Sequence, residues 1–89
     1  MSKSKLEMLV DDQQFGVGNK SVDTGIMIND HNDAVDYLIL EFNDRFEVYL
    51  NLYDENEPPY RNILTSGKSR SLEVAKKIAV RKLNKLAYS

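Results

Sequence analysis

Apolar and polar positions alternate most regularly in the middle of the chain, where they predict a β-hairpin. Residues 35–42 and 46–53 form its two arms, because both runs are rich in β-branched and aromatic side chains. Asn43 and Asp44 lie between the arms as the turn. We therefore expect this hairpin to form the centre of a sheet.

The register of the hairpin decides which face of the sheet is free. A two-residue turn places Ile39 opposite Val48 and makes the sheet apolar on both sides. A three-residue loop separates the side chains better, and we expect this register although Asn43-Asp44 suits the two-residue turn. It leaves on the outer face Tyr37, Ile39, Glu41, Glu47, Tyr49, Asn51 and Tyr53. In the two-residue register the second apolar face needs a cover, either from the N-terminal segment or from self-association.

Two shorter apolar runs, residues 24–29 and 60–65, predict further strands. The turn formers Asp-His-Asn-Asp at 30–33 end the first run, and an acidic loop with two prolines at 54–59 precedes the second. Ser-Gly-Lys-Ser at 66–69 predicts a turn after the last strand. The sheet is therefore expected to be antiparallel, with three or four strands.

Helical periodicity predicts a C-terminal helix that begins after Ser69 or Ser71 and runs to about Ala87. Its apolar side collects Leu72, Ala75, Ala79, Leu83 and Leu86. Its opposite side carries a basic stripe of Lys77, Arg81 and Lys85. A short N-terminal helix over residues 4–14 and a loop over residues 15–21 complete the assignment.

These elements predict a single α+β domain over residues 1–89, in which residues 1–5 are flexible. The C-terminal amphipathic helix packs on one face of the antiparallel sheet. The chain is 42% hydrophobic and 29% charged, as an ordinary globular domain is. It has no cysteine, and its longest apolar run, residues 37–40, is far too short to span a membrane. We therefore expect a cytoplasmic protein without a membrane partner.

Charge is divided along the chain into two opposite blocks. Residues 1–58 hold four bases and thirteen acids, whereas residues 59–89 hold eight bases and the single acid Glu73. The net charge of −2 hides this asymmetry. Because a basic region attracts phosphate or acidic protein, we expect a protein that acts by binding a partner. We expect it to be a monomer or a homodimer. Its expected partner is nucleic acid or a nucleic-acid-handling protein.

The first candidate site is the basic end of the chain. Lysine and arginine at i, i+4 and i+8 of a helix form a ridge of cations that suits the phosphates of duplex nucleic acid, with little readout of bases. The residues predicted to bind nucleic acid are Lys68, Arg70, Lys76, Lys77, Arg81 and Lys85. Such stripes also occur on helix faces that contact only solvent, which is the alternative interpretation.

The second candidate site is the outer face of the expected hairpin. Tyrosines with acidic neighbours favour a protein partner there, as in a small phage-type inhibitor or adaptor of a nucleic-acid-handling complex. The residues predicted for this site are Tyr37, Glu47, Tyr49 and Tyr53. Tyrosines on an exposed strand also agree with ordinary β-propensity.

No residue pattern indicates catalysis, and we expect a protein that is not an enzyme and has no cofactor and no metal site. His31 is the only histidine, and it lies in a predicted turn. Residues 16–21 lack the spacing of a phosphate-binding loop, because Asn19 separates the glycine from the lysine. The oxygen-rich residues 30–36 lack the glycine that an EF-hand calcium loop needs.

The beginning of the C-terminal helix, residues 71–80, resembles the last helix of the double-stranded RNA-binding domain, which opens Ser-Lys-Lys-x-Ala-Lys-x-x-Ala-Ala. The positions that match are Ser71, Ala75, Lys76 and Ala79. Leu72 and Glu73 stand where the family carries lysines that grip phosphate. The resemblance, which covers about twenty residues, implies substitute phosphate contacts from Lys68, Arg70 and Lys76. It also implies a minor-groove contact from His31. Three-stranded DNA-binding domains with a trailing helix fit the order of elements about as well.

Overall fold

The computed structural model describes residues 3–56 and 58–88 of the chain. The elements in chain order are α1 (Lys5–Val10), β1 (Ser21–Ile28), β2 (Ala34–Glu41), β3 (Phe46–Asp54), β4 (Arg61–Ser69) and α2 (Leu72–Tyr88). The strands form one antiparallel sheet in the order β1-β2-β3-β4, and α2 packs on it. The predicted α+β architecture is therefore confirmed, with four strands. Neither helix of the described residues has the length and apolar character that a membrane crossing requires.

The hairpin adopts the two-residue turn, so the expected three-residue register is wrong. Ile39 lies opposite Val48, and the Phe42 N–H donates to the Arg45 carbonyl at 2.8 Å. The face with Val48, Leu50 and Leu52 lies under α2 and is called the helix face. The face with Leu38, Leu40 and Tyr49 lies under the N-terminal segment and is called the N-terminal face. Because each face has its own cover, the side chains need not separate into one apolar and one polar face.

Close packing between α2 and the sheet depends on small residues. Ala75 and Ala79 of α2 are fully buried on the helix face. A Cβ added to Gly67 of β4 would lie 2.1 Å from the Ala75 carbonyl oxygen, so only glycine fits there. The Thr65 hydroxyl donates to the Ala79 carbonyl at 2.9 Å beside this contact. Residues 66–69 therefore continue β4, and the turn expected there is wrong, because the glycine serves helix packing.

The ends of α2 agree largely with the sequence. Ser71 caps the helix, since its hydroxyl accepts a hydrogen bond from the Val74 N–H at 3.3 Å. Leu83 is buried as expected. Leu86, which was expected on the apolar side, is 64% exposed. It lies beside Leu64 at the outer edge of β4, where the sheet ends.

The N-terminal segment covers the second apolar face, as the two-residue register requires. Leu6 of α1 and Phe15 of the following loop pack on this face. The Phe15 ring meets the Tyr49 ring edge-on, with 5.0 Å between centroids. Asn51 is fully buried in β3, and its Oδ1 accepts the Leu6 N–H at 2.8 Å. A buried amide therefore fixes α1 to the sheet.

α1 is shorter than predicted and ends at Val10. Its N-cap is Ser4, which is buried and accepts the Glu7 N–H in a capping box. Of the segment 1–5 that was expected to be flexible, Met1 and Ser2 lie outside the described residues.

Candidate nucleic-acid interface

The outward side of α2 carries the predicted basic stripe. Its alanine-lined side is buried on the sheet, so Lys77, Arg81 and Lys85 face solvent and are exposed. Successive members of the stripe are about 6 Å apart along the helix axis. Lys82 is exposed beside them, although sequence reasoning did not include it in the site. Its spacing of three residues from Lys85, which places both side chains on one side of a helix, was the available signal. We call Lys77, Arg81, Lys82 and Lys85 the basic ridge.

The positive charge of the basic ridge is not neutralised by the protein itself. Within residues 3–56 and 58–88, no carboxylate oxygen lies within 4.0 Å of a ridge nitrogen. Glu73, the one acid in α2, instead pairs with Lys76, with 3.7 Å between Nζ and Oε1. Lys76 is half-buried and partly compensated, so it contributes less than the ridge.

Lys68 and Arg70 do not extend the basic ridge into one surface. Lys68 pairs across the strands with Glu47 and therefore lies on the N-terminal face, away from α2. Its charge acts within the sheet: burial alone would raise the pKa of Glu47, but hydrogen bonds from Tyr49 and Arg45 and the charge of Lys68 hold that pKa below its usual value. Arg70 is exposed in the connection before α2. The structure thus separates Lys68 from the other predicted residues.

The predicted tyrosine surface is also divided. Tyr37 lies half-buried on the helix face, whereas Tyr49 and Glu47 belong to the N-terminal face. They are only 8% and 6% exposed, so the expectation that they face solvent is wrong. The physical reason is the register, since a shift of one residue exchanges the two faces. The fourth residue, Tyr53, is half-buried near the end of β3.

Glu47 and Tyr49 instead form a buried polar cluster. The Tyr49 hydroxyl donates to Glu47 Oε1 at 2.7 Å, and Arg45 Nε donates to Glu47 Oε2 at 2.6 Å. Burial and the nearby carboxylate raise the pKa of Tyr49. The Arg45 guanidinium lies 4.1 Å above the centre of the Phe42 ring. These contacts stabilise the hairpin end and leave little of either group for a partner.

A clamp holds the last turn of α2 against the β1–β2 turn. The Tyr88 hydroxyl donates to Asp33, and the Asn29 amide donates to that hydroxyl at 2.7 Å. The His31 ring stacks on Tyr88, with 3.6 Å between centroids. Arg61 of β4 lies 3.5 Å from the same Asp33 carboxylate. The clamp fixes the orientation of α2, and with it the orientation of the basic ridge.

Comparison with protein-family models, curated proteins and solved structures finds no match for this chain. The resemblance of residues 71–80 to the double-stranded RNA-binding domain therefore stays a prediction.

Proposed function

We propose that the protein binds duplex nucleic acid through the basic ridge of α2, by contacts with phosphates and with little readout of bases. The observation that carries this proposal is that four cations are exposed on one helix without a neutralising carboxylate among the described residues. Lysine and arginine contact phosphate in any sequence context, and no aromatic side chain lies between them for stacking on bases.

The helix offers these cations on a rigid support. Its inner side is packed on the sheet through Ala75 and Ala79, its start is capped by Ser71, and its end is held by Tyr88. Because the helix backbone is already ordered, only the side chains of the basic ridge lose conformational entropy when they bind phosphate.

The acids at the start of the chain do not cancel this attraction. Glu7, Asp11 and Asp12 belong to the segment that begins with α1, on the face of the sheet opposite α2. The shortest dimension of the Cα trace is 17 Å. The Debye length at physiological salt is about 8 Å, so acids on the far face are largely screened from a duplex at α2. Glu7, Asp11 and Asp12 therefore oppose a duplex bound at α2 much less than their count suggests.

The test is a triple variant, Lys77→Ala, Arg81→Ala and Lys85→Ala, measured by fluorescence anisotropy with duplex DNA and duplex RNA of one sequence. We expect affinity for at least one duplex to fall by about 100-fold at low salt. The matched control removes three cations from the N-terminal side, Lys3→Ala, Lys5→Ala and Lys68→Ala, and should leave affinity within about threefold. Equal losses in both variants, or no binding by the unchanged protein, would contradict the proposal.

A further inference from the structure

The outer edge of β1 is an unpaired sheet edge within the described residues. The Asn29 N–H donates to the Asp33 carbonyl at 2.9 Å, and hydrogen-bonded pairs alternate along an antiparallel ladder from there. Odd-numbered residues of β1 therefore bond to β2. The even-numbered residues turn their backbone N–H and C=O groups outward: Val22, Thr24, Ile26 and Ile28.

This edge lacks the features that usually prevent strand addition. β1 pairs with β2 over eight consecutive residues without a bulge, contains no proline, and carries a single charge at Asp23. On the N-terminal face it exposes three large apolar side chains, Val22, Ile26 and Ile28, which are 54%, 69% and 63% exposed. Regular pairing groups next to apolar side chains are what an added strand needs.

A groove on the same face runs between β1 and α1. It has a volume of about 460 Å³, and Leu38 and Ile26 are among the apolar residues that line it. Its acidic lining consists of Glu7, Asp11 and Asp36. Lys3 pairs with Asp11 at 2.8 Å, but both side chains are well exposed and the pair is weak.

Asp36 shows that this negative charge is not compensated. Its carboxylate has no cation within 4.0 Å among residues 3–56 and 58–88. Burial and the neighbouring Glu7 raise the pKa of Asp36, as expected where a carboxylate is partly desolvated beside a like charge. A cation brought into the groove would remove this unfavourable interaction.

The opposite edge of the sheet has the opposite charge. Lys82 and Lys85 of α2 lie along the outer side of β4. A segment rich in lysine or arginine is therefore attracted to β1 and repelled by β4. A second copy paired through β1 would instead bring two acidic grooves close together, which disfavours self-association at this edge.

We infer that β1 and the acidic groove beside it bind an extended basic segment of a partner protein, which adds to the sheet as a fifth strand. Its backbone pairs with the outward groups of Val22, Thr24, Ile26 and Ile28. Its apolar side chains pack on those of β1, and its lysines or arginines reach Glu7 and Asp36. This surface is separate from the basic ridge, so the inference does not depend on nucleic-acid binding.

The probe is a peptide as long as β1, Lys-Thr-Val-Thr-Lys-Thr-Val-Thr, whose lysines and valines share one face of a strand, and its counterpart with glutamate for lysine. In an NMR titration of the whole protein, we expect the lysine peptide to shift the amide resonances of Val22, Thr24, Ile26 and Ile28 and to slow their hydrogen exchange. The glutamate peptide should change neither. Shifts confined to other elements, or no binding at about 1 mM lysine peptide, would overturn the inference.

Two variants test the recognition itself. Ile26→Pro removes one outward N–H but no hydrogen bond to β2. It should lower the affinity for the lysine peptide about tenfold relative to the control Ile26→Ala. Asp36→Asn should weaken it about threefold through lost charge attraction. Equal affinity of the proline and alanine variants would overturn the inference, as would a dimer of the unchanged protein that Ile26→Pro dissociates. If Ile26→Pro fails to fold, the amide shifts of the unchanged protein still decide.

Discussion

Replacing Gly67 by alanine should push α2 away from the sheet and destabilise the fold. The added Cβ would lie 2.1 Å from the Ala75 carbonyl oxygen and 2.9 Å from the Ala79 nitrogen. Both are backbone atoms, so rotation of a side chain cannot relieve the contact. The helix has to move as a unit from the core that it covers.

The expected cost follows from three contributions to the free energy of unfolding. Overpacking against a helix backbone costs about 1–3 kcal/mol. Moving α2 also stretches the hydrogen bond from Thr65 to Ala79, which is worth about 1 kcal/mol. Alanine restricts the unfolded chain and returns about 0.5–1 kcal/mol. The net loss is about 1–3.5 kcal/mol, a substantial part of the roughly 5–13 kcal/mol typical of a chain of this length.

Urea unfolding followed by circular dichroism measures this loss, and Gly25→Ala is the matched control. Gly25 also lies in a strand, but an added Cβ there meets the end of the Tyr37 side chain, with the hydroxyl at 2.8 Å. That ring can turn aside at the sheet edge, so we expect Gly25→Ala to cost less than about 1 kcal/mol. If both variants unfold at the same urea concentration, the account of helix packing is refuted.

Three polar side chains give further expectations. Asn51→Leu should cost about 2–4 kcal/mol because it leaves the buried Leu6 N–H unpaired and removes the hydrogen bond from the Asn51 amide to the Ile63 carbonyl; chemical unfolding measures this, and a loss below about 1 kcal/mol would contradict it. Glu47→Gln should make the free energy of unfolding fall less steeply as the pH is lowered. The pKa of Glu47 in the folded protein lies below the ordinary value of 4.5. The stability that ionised Glu47 contributes is therefore present above pH 4.5 and is lost as the pH falls through the folded pKa. The two proteins should differ in how steeply stability falls with pH in acid, and equal steepness would argue against this. Asp36→Asn should raise stability at pH 7, because the raised pKa of Asp36 means that its ionised form disfavours folding. The gain should vanish below about pH 3.8, and a lower urea midpoint at pH 7 would refute it.

Features that depend on local sequence could be predicted well. The central hairpin, the start of α2 at Ser71 and the exposure of Lys77, Arg81 and Lys85 all follow from periodicity and capping within one element. The antiparallel sheet follows from strand signals of the same kind, which left three or four strands open. These properties need no knowledge of distant contacts.

Features that depend on contacts distant in sequence were missed. The hairpin register was misjudged because the sequence offers the N-terminal segment only as one possible cover of a second apolar face, and only the fold shows that Leu6 and Phe15 pack there. Gly67 was assigned to a turn because its true neighbour, the backbone of Ala75, is known only once α2 is packed. The same register error placed Tyr49 on the surface. The acidic groove at β1 was missed because it lies between α1 and β1. A loop separates these elements in sequence, so only the fold shows that they are neighbours.

The dependence of duplex affinity on salt tests the central claim, phosphate binding by the basic ridge, most directly. If four ridge cations each neutralise one phosphate, affinity should fall about 150-fold between 50 and 200 mM salt, with a logarithmic slope of about −3.6. The variant with Lys77, Arg81 and Lys85 replaced by alanine should keep a slope of about −0.9. An unchanged slope in that variant would contradict the claim.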